Sequence, residues 1–181
     1  YGLVFDIGRT TAQSLTEVSY ILESGNTEEL TGLYSDDEMD NGNGALMRNL
    51  PLFFYIHEKS IEEQFRLIWE VSSLTHGHIR SAIACTIYMR MAVHLYQGLD
   101  KRTAYAQMQK EMIQFLADKE ISAKEQGHFF RLLKMDISKL AEEAIDSGGY
   151  VMHSIEASIW CLLNTNSYET SVFKAINLGR D

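Results

Sequence analysis

A single proline, Pro51, stands in a chain of 181 residues. Proline inside a helix removes a backbone hydrogen bond and clashes with the preceding turn. Its scarcity therefore leaves nearly the whole chain open to helix. No sustained alternation of apolar and polar residues marks a strand. The residues instead divide into about eight helical segments by spacing and caps. The first covers residues 11–24, with Leu15, Val18 and Leu22 as its expected core stripe and Gly25 as its stop. A polar loop over residues 34–43 follows, ending Asn41-Gly42-Asn43, and Gly44 opens an apolar segment that Pro51 kinks or restarts. Ser60 with Glu63 and Ser122 with Glu125 have the form of capping boxes, in which serine and glutamate each satisfy the other's free amide. They head segments 60–73 and 122–133. Between these, Ile79, Ile83, Ile87, Met91 and Leu95 recur every fourth residue through 79–97, Gly98 closes that segment, and Asp100 caps the next, to residue 116. Segments 138–145, 151–163 and 168–178 complete the series. The expected fold is all-α, a compact multi-helix domain over residues 1–181 in which helices pack on helices.

Charge narrows the function. Sixteen Lys and Arg face 25 Asp and Glu, a formal charge of -9. Coating nucleic acid or adhering to an anionic membrane needs a basic face, so neither is expected. No run approaches 18 apolar residues, so no transmembrane helix is expected, and no secretory leader is visible. Two cysteines, Cys85 and Cys161, are too few for a disulfide framework and suit a reducing, cytoplasmic setting.

Most candidate chemistry has a plain structural explanation. The pairs Glu62/Glu63 and Glu142/Glu143 point roughly 100° apart on a helix and do not share a site. Asp36/Asp37 suits a turn or a hard cation. His76 and His78 flank Gly77 in an interhelical break, where they can cap a helix, fill the core or line a cleft; two histidines alone make a weak metal signal. Cys85 and Cys161 fall on apolar segments and read as inert buried thiols. The loop Asp40-Asn41-Gly42-Asn43-Gly44-Ala45 carries more. Its glycines permit close backbone approach, and it feeds a helix N-terminus, which binds anions, although an ordinary turn uses similar residues.

Five segments, in order, resemble the ADP-ribosylglycohydrolase family, which includes the dinitrogenase reductase activating glycohydrolases. They are residues 1–8 (YGLVFDIG) with Thr10-Thr11, residues 41–48 (NGNGALMR), residues 74–78 (LTHGH), residues 149–157 (GYVMHSIEA) and residues 175–181 (AINLGRD). The resemblance implies an all-helical, metal-dependent hydrolase that cleaves the glycosidic bond joining ADP-ribose to a protein side chain or small-molecule acceptor. It implies two Mg²⁺ ions, or Mn²⁺, in a cleft. Residue by residue, Asn41, Gly42, Asn43 and Gly44 match the loop around the diphosphate and distal ribose. His76 matches a cleft histidine, Gly149 and Tyr150 match the segment at the nucleoside end, and Asp181 matches a metal ligand. Bound cations and loop amides reconcile an acidic chain with an anionic substrate.

The sequence also departs from the family pattern. The Thr-Asp-Asp metal motif and the glutamate assigned to catalysis are expected upstream of Tyr1, so the catalytic residue is unknown here. Ser35-Asp36-Asp37 lies too late in the order to replace that motif. Arg9, His153 and Arg180 stand where Asn, Asp and Gly are commoner. The expectation is a central part of the domain, truncated at both ends, that alone lacks part of its metal site. The alternative is a non-catalytic binding or structural protein on the same scaffold, as in crystallin-like relatives. The acceptor, whether arginine, serine, nucleotide or another, stays open.

Overall fold

The computed structural model describes residues 7–26, 28 and 37–179. Its helices run α1 (Arg9–Ser24), α2 (Gly44–Arg48), α3 (Phe53–Ile56), α4 (Ile61–Ser73), α5 (Ile79–Tyr96), α6 (Lys101–Asp118), α7 (Ala123–His128), α8 (Phe130–Lys134), α9 (Val151–Leu163) and α10 (Tyr168–Leu178). Short 3-10 turns at Glu38–Asp40, Leu50–Leu52, Ile137–Lys139 and Glu142–Ala144 join some of them. The described chain is all-α, as expected. Among the described residues no helix is long and apolar enough to cross a membrane.

Helix α5 is the axis. α2, α3, α4, α6 and α9 pack around it, which is why it is buried on nearly all sides and its fourfold apolar repeat understates its burial. Ile83, Ile87 and Met89 of α5 lie fully buried with Met108 and Met112 of α6, Phe129, Leu132 of α8 and Ile155 of α9. Each such side chain contributes about 1.5–3 kcal/mol when taken from water. The unbranched methionines fill gaps among the branched residues. Both cysteines are free and buried here, and burial pushes the Cys85 thiol up to about 12.

The caps follow local rules. Ser60, Asp100 and Ser122 each accept backbone N–H bonds from the first turn of the helix they precede. Gly98 adopts a φ of 87° after α5, in the left-handed region that glycine enters without strain, and its N–H returns to Leu95 O at 3.0 Å. Pro51 sits in the Leu50–Leu52 turn and restarts the chain into α3 rather than kinking a helix. Neither serine–glutamate pair completes the reciprocal bond of a capping box. Glu63 is taken by Lys59 at 3.1 Å, and Glu125 by Arg80 at 2.7 Å.

Three further expectations are corrected. In α1 the buried residues are Thr10, Ser14 and Ile21, while Leu15 and Leu22 are 54% and 57% exposed. The helix is turned by Thr10 and Arg9, whose side chains both bond Asp40. The segment 122–133 breaks at the buried Phe129 into α7 and α8. Residues 138–145 are not one helix. Leu140 and Ala141 are extended between two 3-10 turns, and the Leu140 carbonyl accepts from Trp160 Nε1 of α9 at 3.0 Å. That carbonyl is thereby lost to any helix.

One pairing places the site. Gly42 and Tyr150 form an isolated antiparallel bridge. Asn43 N donates to Gly149 O and Val151 N to Asn41 O, both at 2.9 Å. The segment before α2 is thus bound edge to edge with the segment before α9.

Candidate functional site

A cleft of about 710 Å³ opens beside this bridge. Its walls are the start of α1 (Gly8 to Thr11), the glycine loop (Gly42, Asn43, Gly44), Arg48, His76 and Gly149, with Met39 and Met47 exposed at its rim. Gly8 is the N-cap of α1 and brings no side chain to cap it, so the positive end of that helix faces the cleft. The described lining contains two arginines, Arg9 and Arg48, and no carboxylate. Asp40 lies just behind, receiving Arg9 Nη2 at 2.9 Å and Thr10 Oγ1 at 3.2 Å. The described lining therefore carries positive charge, that of Arg9 being partly neutralised by Asp40.

His76 leaves the loop glycines little room for a side chain. A Cβ on Gly44 would lie 3.0 Å from His76 Cε1 and 3.3 Å from Thr11 Oγ1, and one on Gly42 would lie 3.3 Å from His76 Nε2. The imidazole fills the space that side chains on the loop would need. It shares a 2.6 Å hydrogen bond with Thr75 Oγ1. Burial, reinforced by the Arg48 charge and only partly opposed by Asp40, lowers its pKa from 6.5 to about 4. At neutral pH it is an uncharged hydrogen-bonding wall. Burial also lowers the Arg48 pKa, and its Nη2 donates to the carbonyls of Val71 and Ser72 at 3.3 and 3.0 Å.

The other loop residues hold the cleft from outside. Asn41 is buried; its Oδ1 accepts from Ser81 Oγ at 3.0 Å, and its Nδ2 donates to Glu38 O at 3.0 Å. Asn43 Nδ2 donates to Ser154 Oγ of α9 at 2.9 Å. The Tyr150 ring meets His153 edge to face at 5.1 Å, and its hydroxyl accepts from Arg80 Nη1 at 3.2 Å. A second hollow of about 450 Å³ adjoins across Asn43 and Met47, lined by Tyr88, Ser154 and Ile155 among others.

Of the residues marked in the sequence, Gly42, Asn43, Gly44, His76 and Gly149 converge on the cleft, while Asn41 and Tyr150 brace it. Asp181, the expected metal ligand, lies outside the described residues, as do Arg180 and Asp36. Asp37 caps the Glu38–Asp40 turn through Met39 N. His78 is the N-cap of α5, its Nδ1 accepting from Arg80 N at 3.2 Å.

His78 also belongs to a grouping that sequence reasoning missed. Ligand atoms of Glu38, His78 and Glu125 lie within 4.8 Å of one another. Arg80 occupies this cluster: Nε and Nη2 fork onto Glu125 at 3.0 and 2.7 Å, and Nη2 lies 3.9 Å from Glu38. Lys124 bonds Glu38 and lowers its pKa. Burial works against the Arg80 charge, but Glu125 and the Tyr150 hydroxyl outweigh it and raise the guanidinium pKa. Two cations thus already neutralise the two carboxylates. Mg²⁺ demands octahedral oxygen ligands, and this mixed, cation-filled set does not fit it. Only the distance between residues 38, 78 and 125 in the chain hid the cluster.

The ADP-ribosylglycohydrolase family profile matches residues 1–181, and the chain belongs to that family. It is 26% identical over 187 residues to the ADP-ribosylarginine hydrolase Tri1 of Serratia proteamaculans (strain 568), covering 99% of this chain and 43% of the relative. It is 24% identical over 181 residues to the ADP-ribosylarginine hydrolase Tri1 of Pseudomonas putida (strain GB-1), with the same coverage of 99% and 43%. The chain therefore spans less than half the length of these relatives.

Proposed function

We propose that this chain carries the ADP-ribose-binding part of a hydrolase that cleaves the glycosidic bond between ADP-ribose and a modified side chain. The observation that carries this reading is the cleft itself. Gly42, Asn43 and Gly44 lie against a neutral His76, facing the α1 N-terminus, with Arg9 and Arg48 as the cations of the described lining. A diphosphate would gain from backbone N–H groups, the helix end and guanidinium charge together. The neutral His76 would hydrogen-bond ribose hydroxyls without adding a charge that must be desolvated. Membership of the family supports the reaction class, and the relatives' names make ADP-ribosylated arginine the first acceptor to test.

Divalent Mg²⁺, or Mn²⁺, belongs to this proposal through Asp181 and through ligands beyond the described residues. The described lining offers such ions no carboxylate, and no catalytic acid is assigned among the described residues. An ADP-ribosylated protein is the proposed partner, in a reducing, cytoplasmic setting that two free buried cysteines support.

Two measurements test the reading. Calorimetry on the 181 residues should show ADP-ribose binding that Arg48→Ala weakens, without release of ADP-ribose from modified arginine. The full-length protein should release ADP-ribose from arginine-linked but not serine-linked substrate, and only with Mg²⁺ or Mn²⁺ present. A chain that binds no ADP-ribose would sink the binding role. Release of ADP-ribose by the 181 residues alone would refute the metal-ligand assignment.

A further inference from the structure

We propose that Arg80 is a positioning residue that holds the two segments of the cleft together from behind. Four observations converge on it. Its side chain is only 5% exposed, and both edges of its guanidinium are used. One edge forks onto Glu125 of α7, while Nη1 donates to the Tyr150 hydroxyl at 3.2 Å. Nη2 also faces Glu38, which opens the 3-10 turn leading into the glycine loop, at 3.9 Å. The next residue, Ser81, donates to Asn41 Oδ1 at 3.0 Å. The first turn of α5 thus grips residues 38–41 on one side and Tyr150 on the other.

Those are the segments joined by the Gly42–Tyr150 bridge. The bridge has only two backbone hydrogen bonds, Asn43 N to Gly149 O and Val151 N to Asn41 O. Two strands paired over so short a length are marginal alone, and here neither belongs to a sheet. A planar, five-donor guanidinium can bind a carboxylate with one edge and a hydroxyl with the other, whereas the compact ammonium of lysine cannot reproduce that fork. Arg80 touches none of the cleft-lining residues through its side-chain hydrogen bonds. It acts through Tyr150 and the Glu38–Asn41 segment, and its effect on ligand is indirect.

The test uses Arg80→Lys and Tyr150→Phe, with Arg90→Lys as a control for a buried arginine of the same helix. Arg90 bonds Glu111 of α6 and Gln64 of α4 instead. The readout is amide hydrogen exchange at Asn43 and Val151, the two donors of the bridge. Both test variants should raise exchange there by about tenfold or more while α6 amides stay protected, and Arg90→Lys should not. ADP-ribose affinity, by calorimetry, should weaken in the two test variants and stay at the parent value in Arg90→Lys. This second arm rests on the function proposed above, but the exchange arm does not. Raised exchange with no ADP-ribose binding in the parent protein would support the positioning role and fail the function. If Arg80→Lys disrupts the whole fold, Tyr150→Phe, which removes one hydroxyl, still decides. Wild-type exchange at Asn43 and Val151 in a folded Tyr150→Phe protein, or equal acceleration in Arg90→Lys, would overturn the proposal.

Discussion

Helix α5 carries two arginine–glutamate pairs, ten residues apart, and they hold different things. Near its start, Arg80 and Glu125 bind a 3-10 turn, a short helix and the residue before α9 into one cluster. Near its end, Arg90 meets Glu111 of α6 at 2.8 Å and Gln64 of α4 at 3.0 Å, and His94 Nε2 reaches the same Glu111 oxygen at 2.9 Å. The second set joins helices that a shared apolar core already aligns. The first joins irregular segments that have little core of their own. A buried ion pair is weak evidence for net stability because desolvation offsets its attraction. Where hydrophobic contacts do not fix a geometry, directional bonds must, and the Arg80 cluster lies at such a place.

Removing one partner from each pair should separate their roles. Glu125→Ala leaves the buried Arg80 with only the Tyr150 hydroxyl and the more distant Glu38, and should cost about 3–5 kcal/mol in urea unfolding. Glu111→Ala should cost less, about 1–3 kcal/mol, because Arg90 keeps Gln64 and the Glu111 side chain is already 25% exposed. Equal losses would show that the two pairs are equivalent.

A second test uses acid. The folded state holds the His76 pKa at about 4, below its ordinary 6.5. As pH falls below 6.5 the unfolded chain takes up that proton first, so stability present at neutral pH is lost progressively down to about 4. The loss amounts to about 3 kcal/mol when complete. The difference in unfolding free energy between the parent and His76→Asn should shrink across that window, and a constant difference would refute the buried neutral ring. Smaller still is Gly44→Ala, about 1–3 kcal/mol by overpacking against His76, accompanied by weaker ADP-ribose binding. Smallest is Gly127→Ala in α7, where no atom lies within 4 Å of the added Cβ. It should be neutral or stabilise by about 0.5–1 kcal/mol, measured by thermal unfolding, and it contrasts with Gly44 as an uncommitted glycine.

Much of the fold was legible because its signals are local. The caps at Ser60, Asp100 and Ser122, the stop at Gly98 and the helices α9 and α10 all follow from residues within four positions of one another. Three of the errors share one cause, which is a partner far away in the chain. Glu125 left its capping box for Arg80, the Leu140 carbonyl turned to Trp160, and α1 rotated to satisfy Asp40. The cleft shows the same division. The glycine loop and His76 were readable as motifs, but their contact through missing Cβ atoms was not, nor was the Glu38–His78–Glu125 cluster around Arg80.

The bond from Asn43 to Ser154 joins residues 111 positions apart, and this bears on the order of events as the chain folds. Helices α4 to α8 all lie between its ends. Closing so long a loop costs entropy that local helices do not incur, and distant pairings of this kind slow folding. The cleft should therefore mature late, after the α4–α5–α6 core. In pulse-labelled refolding, the Asn43 and Val151 amides should gain protection after those of α5. A ligand that recognises the finished cleft would then report on the completed chain, and would pass over partly folded forms that already have their helices.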